Sequence, residues 1–91
     1  DAPAMAARSR AFMDAARKRY GIADVNLIKP GIGEATRVLL RRVPERLIVR
    51  DPDAPDVAHL RLLAREKSIP VTVEPALPYQ AVALIRSAVD G

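Results

Sequence analysis

The chain has 91 residues, 49% apolar and only 3% aromatic, which is enough for one core of Leu, Val, Ile and Ala and not for two. It holds no cysteine, which removes disulfide frameworks, thiolate metal sites and cysteine nucleophiles from these residues and makes the cytoplasm the simplest compartment. Net charge is +4 but uneven: residues 8–50 carry eleven Lys/Arg against four Asp/Glu, and residues 51–91 carry four against six.

Residues 1–7 read as an N-terminal tail, with Met5 a candidate native start. They lack the apolar core of an export signal, and no apolar run in the chain is long enough to span a membrane. Ser9 is placed to cap a helix over residues 9–20 with Phe12, Met13, Ala16 and Tyr20 on its inner face, and Gly21 ends it. Residues 25–29, VNLIK, read as a strand broken by Pro30 and Gly31. A second helix covers residues 32–42, with Ala35, Val38 and Leu39 inward and Arg41 and Arg42 at the end where cations complement the dipole. Residues 46–50, RLIVR, are a second strand.

In the acidic turn that follows, Asp53 is the expected N-cap, with Pro55 in the first turn and Asp56 at the positive end of the dipole. The helix it opens buries Val57, Leu60, Leu63 and Ala64 and reaches about residue 67. Residues 69–75, IPVTVEP, are a third strand, and Pro78 opens a last helix through Val82 and Ile85 to about residue 89. The order helix-strand-helix-strand-helix-strand-helix predicts an α/β fold: a three-layer α/β/α sandwich with a small mixed sheet, one domain over residues 8–91.

Local chemistry points to binding and away from catalysis. The segment GIG between a strand and a helix offers backbone N–H groups to an anion, but Thr36 stands where a dinucleotide fingerprint needs Gly or Ala, and Glu34 places a carboxylate where a phosphate would sit. No cofactor is expected. Asp51, Asp53 and Asp56 suit capping better than metal binding, so no metal is expected either. His59 has no nucleophile near it in local spacing, and Tyr20 and Tyr79 are too few for a base-stacking platform. Twelve of the fifteen cations are arginine, whose planar fork suits phosphates and base edges. The basic half is therefore the candidate polyanion face, and the chain reads as a binding module and not an enzyme.

The segment GIGEATRVLLRR, preceded by Lys29, resembles the Gly-x-Asn-Glu-x-x-Lys segment of the ribosomal and kink-turn RNA-binding family of the L-seven-Ae type. Downstream, RLIVRDPDAPDVAHLRLLAREKSIPVTVEP is similar to that family's second strand, acidic turn, third helix and "IP" strand. The resemblance implies the same sandwich and structured RNA as partner, the ribosome among the sources. By position it implies RNA contacts from Lys29, Gly31, Gly33, Glu34, Arg37 and Arg41 around the second helix, and from Val73, Glu74, Pro75 and Ala76 after the third strand. Gly33 stands where the family has a base-reading asparagine. That departure allows a second reading, a protein-interaction or assembly domain that keeps the fold without kink-turn recognition; a third is the related small domain that delivers RNA to a methyltransferase.

Overall fold

The structure is a computed structural model and describes residues 2–22 and 24–85. Helix α1 runs over Ala2–Tyr20 and takes in residues read as a tail, because an alanine-rich start favours helix. Ser9 therefore lies inside α1 and caps nothing. The far end is as expected: Gly21 has φ 67°, and the Ile22 N–H reaches back to the Arg17 carbonyl at 3.0 Å, closing a Schellman motif.

The first expected strand is shifted. Val25–Leu27 forms a 3-10 turn, whose N-cap Asp24 accepts from the Asn26 N–H at 2.9 Å, and strand β1 is Ile28–Pro30. Pro30 closes the strand instead of breaking it. Its missing N–H is tolerated because β1 is an edge strand. Helix α2, Ile32–Arg41, and strand β2, Arg46–Val49, fall where the sequence places them.

The acidic turn differs in its capping residue. Asp51, not Asp53, supplies the side-chain bond, its Oδ1 accepting from the Asp53 N–H at 2.9 Å. Pro55 does open a first turn, the 3-10 turn Pro55–Val57, which runs directly into α3, Ala58–Glu66, with no side-chain cap at either start. Strand β3 is Val71–Val73. The expected last helix is replaced, over its described part, by strand β4, Ala81–Leu84; the rest of that expectation, residues 86–89, lies outside the described residues.

The strands make one mixed sheet in the order β1-β4-β2-β3, with β4 antiparallel to both neighbours and β2 parallel to β3. Strand alternation then sorts the faces. Arg46 and Ile48 look towards α1, where the Arg46 guanidinium lies 5.4 Å from the Tyr20 ring centre and donates to Thr72 Oγ1 at 2.5 Å. Leu47 and Val49 look towards α2 and α3, and their β4 partners on that face are Ala83 and Ala81, small enough for α2 to pack close. Every residue of β4 is buried, which requires cover on both faces. The layering is thus α1 on one side of the sheet and α2 with α3 on the other. Thr36 Oγ1 donates to the Ile32 carbonyl and lies 2.8 Å from His59 Nε2, tying the two helices together.

Candidate nucleic-acid interface

Because β1 and β2 both run antiparallel to β4, and β3 runs with β2, the carboxyl ends of β1, β2 and β3 share one end of the sheet. The start of α2, the turn after β2 and the loop after β3 all emerge there. The two segments implied to touch RNA are therefore brought to the same end but to opposite edges. Three interstrand spacings of roughly 4.8 Å put them about 14 Å apart.

At the β1 edge, Gly31 takes φ 97° and ψ 152°, a backbone state that suits glycine. Its N–H donates to the Ala81 carbonyl at 2.8 Å, and its own carbonyl accepts the first helical bond from Ala35 at 2.9 Å. The glycine is needed to turn the chain from strand into helix, with or without a ligand. Gly33 is different: it is exposed, and a Cβ added there would meet nothing within 4 Å.

Lys29 projects from the α2 side of β1. With Glu34, Arg37, Arg41 and Arg42 it lines a shallow cleft of about 170 Å³ whose apolar floor is Val38 and Ile85. Four cations thus surround one carboxylate, Glu34, which pairs loosely with Arg37 at 3.3 Å on an exposed surface where such pairs contribute little. At the C-terminal end of α2, Lys67 Nζ donates to the Leu39 and Arg42 carbonyls, capping the helix and adding a further positive charge beside Arg41 and Arg42.

The loop after β3 sits elsewhere. Glu74, Pro75 and Ala76 line an open groove of about 930 Å³ whose opposite wall is α1, with Arg8 and Phe12, and whose end is Arg50. The Glu74 carboxylate is held by Arg19 of α1, and Phe12 meets Tyr79 edge to face at 6.1 Å. Sequence reasoning did not assign Arg8, Phe12 or Arg50 to a site, because nothing in local spacing announces that α1 folds against this loop. His59 Nε2 lies within hydrogen-bond distance of the Thr36 hydroxyl, at 2.8 Å. Among the described residues, no group of three or more His, Asp or Glu is placed to hold a metal ion, and no helix is long and apolar enough to cross a membrane.

The described residues thus form a small α/β/α domain with a cation-lined cleft along α2. The PELOTA RNA binding domain model matches residues 7–87, and the chain belongs to that family. The RNA-binding character drawn from the sequence therefore holds, carried by this family and not by the kink-turn family as such. The chain is also 44% identical over 71 residues to "Cysteine protease StiP" of Acinetobacter baylyi (strain ATCC 33305 / BD413 / ADP1), a match that takes in 76% of the chain and 18% of that protein. The chain thus spans less than a fifth of this relative. The similarity contradicts the expectation that the chain is not an enzyme, since a related segment lies in a protein named as a protease. Residue reading could not have found this link, because these 91 residues contain no cysteine to mark a thiol nucleophile.

Proposed function

We propose that the chain is a small module that grips structured RNA with the cleft beside α2 and touches it again with the loop after β3. The observation that carries this reading is the cleft itself: Lys29, Arg37, Arg41 and Arg42 line it along α2 with a single carboxylate, Glu34, among them. The cations suit phosphates, and Glu34 can accept from the N–H edge of a guanine. Gly33 gives the family-like contact backbone N–H groups without a base-reading amide, so recognition is by shape more than by base identity, and affinity for a standard kink-turn is weak. The compartment that fits a cysteine-free RNA binder is the cytoplasm.

The test is the salt dependence of binding to a labelled structured RNA. Wild type should lose affinity steeply with salt, and the variant with Arg37→Ala, Arg41→Ala and Arg42→Ala should bind more weakly with a log–log slope lower by roughly 2–3 units, close to one for each phosphate no longer neutralised. Equal binding and equal slope would refute the assignment. A second reading is favoured by the Acinetobacter relative: in a longer protein, such a module places or regulates a thiol protease carried by other residues. It is tested by measuring proteolysis by the full-length protein with and without RNA; no effect of RNA would remove it.

A further inference from the structure

We propose that the groove between α1 and the loop after β3 holds one unpaired nucleotide of the bound RNA, a guanosine by preference. The proposal rests on the RNA-binding reading and extends it to a second face of the molecule. The groove, at about 930 Å³, lies at the upper end of the range of small-ligand pockets. Its walls combine three chemistries that a nucleotide uses together. Phe12, Pro75 and Pro78 offer flat apolar surface to the face of a base. Arg8 and Arg50 flank that surface, and neither pairs with a carboxylate among the described residues, so both guanidiniums are available to the phosphates on either side of the nucleotide.

Glu74 supplies the third chemistry. Arg19 binds its Oε1 and holds the carboxylate in place within the groove wall. An ionised carboxylate accepts hydrogen bonds and donates none. It therefore selects a base edge with N–H donors, and guanine presents two adjacent ones on its pairing edge. An acidic peptide would meet the same two arginines but would be repelled by Glu74 and leave the aromatic wall unused, which is why a nucleotide fits better. The cleft beside α2 and this groove lie on opposite faces of the sheet: the cleft runs along α2 from Glu34 to Arg42 over Ile85, while the groove opens at the carboxyl end of β3, on the side of α1. An RNA that occupies both places paired backbone at α2 and passes a single unpaired residue around the end of the sheet to α1.

The experiment uses four labelled RNA hairpins, identical except at one position: fully paired, or with a single bulged guanosine, bulged uridine or bulged abasic residue. Affinities are read by fluorescence anisotropy at fixed salt for wild type, Phe12→Leu and Glu74→Gln, with bulk ribosomal RNA as a general probe. Wild type should bind the guanosine bulge about tenfold more tightly than the abasic bulge, within what base stacking contributes. Glu74→Gln should abolish the preference for guanosine over uridine while keeping the preference for a base over none. Phe12→Leu should reduce the latter and leave the fully paired hairpin unaffected. The comparison of guanosine with abasic RNA uses wild type alone, so it stands even where a variant fails to fold. Wild type that binds bulk RNA and the hairpins without distinguishing them overturns the groove proposal and leaves the RNA-binding reading intact. Wild type that binds neither the hairpins nor bulk RNA at low salt overturns both.

Discussion

Replacing Gly31 by alanine forces an L residue into φ 97°, ψ 152°, a region occupied almost only by glycine, at a strain of about 1–3 kcal/mol. Relaxation is not cheap. Rotating φ away pulls the Gly31 N–H from Ala81 or its carbonyl from Ala35, bonds of 2.8 and 2.9 Å, each contributing about 1 kcal/mol. The added methyl meets no atom within 4 Å, so the loss comes from the backbone and not from a clash. Gly33, two residues on, has ordinary helical backbone and open space, and alanine there restricts the unfolded chain for a gain of about 0.5–1 kcal/mol. In a domain of this size 1 kcal/mol shifts Tm by about 4–8 °C. Gly31→Ala should therefore lower Tm by about 5–20 °C, and Gly33→Ala should raise it by about 2–8 °C. Far-UV circular dichroism melts, with urea titrations as a second measure, read both. Shifts of the same sign, or Gly31→Ala melting within about 2 °C of wild type, would refute the assignment of the two glycines to different backbone roles.

Three other outcomes follow from local geometry. Asp51→Ala should cost about 0.5–1 kcal/mol through loss of the bond to the Asp53 N–H, while Asp53→Ala should be nearly neutral, with urea midpoints as the measure. Ser68 closes α3 at φ 58°, with the Ile69 N–H bonded to the Ala64 carbonyl at 2.8 Å, so Ser68→Gly should stabilise by roughly 0.5–1 kcal/mol in the same titration. Gly33→Asn has room for its side chain and should raise affinity for a labelled kink-turn RNA by about 1–3 kcal/mol; an unchanged Kd in a folded variant would show that this position does not meet a base.

Helix α2 and strand β2 are legible in the sequence because their signals are local: Gly31 before the helix, a three-four spacing of Ala35, Val38 and Leu39, and a short apolar run between arginines. Strand β4 is not. Its residues are apolar without alternation because both of its faces are covered, and such a run carries neither the strand period nor the helix period. The spacing of Val82 and Ile85 then imitates one helical turn. What the run lacks is any polar position for the outer face of a surface helix, and that absence is the readable clue. Asp53 is the better cap by position, but the bond that forms is that of an Asx turn, in which Asp51 Oδ1 accepts from the Asp53 N–H. The two parts of the candidate site differ in the same way. Lys29, Arg37 and Arg41 lie on one strand and the helix that follows it, so their neighbourhood follows from helical geometry. Arg8 and Arg50 are joined only by the packing of α1 against a distant loop, and that loop's path depends on the strand the sequence conceals.

Strand β4 comes last in sequence among the described strands and is an inner strand of the sheet. As the polypeptide leaves the ribosome in order, β2 and β3 can pair early, but β1 has no neighbour until residues 81–84 arrive. Pairing Ile28 with Leu84 closes a loop of about 56 residues, so the entropic barrier falls on the final step of assembly. Two incomplete layers must wait, apolar faces open, for one four-residue insertion that joins them. The cleft beside α2 is floored by Ile85, whose N–H is bonded to the Leu27 carbonyl at 2.9 Å. A nascent chain therefore completes the cleft beside α2 late, and a ribosome stalled before that strand emerges displays the arginines of α2 without the floor that arranges them.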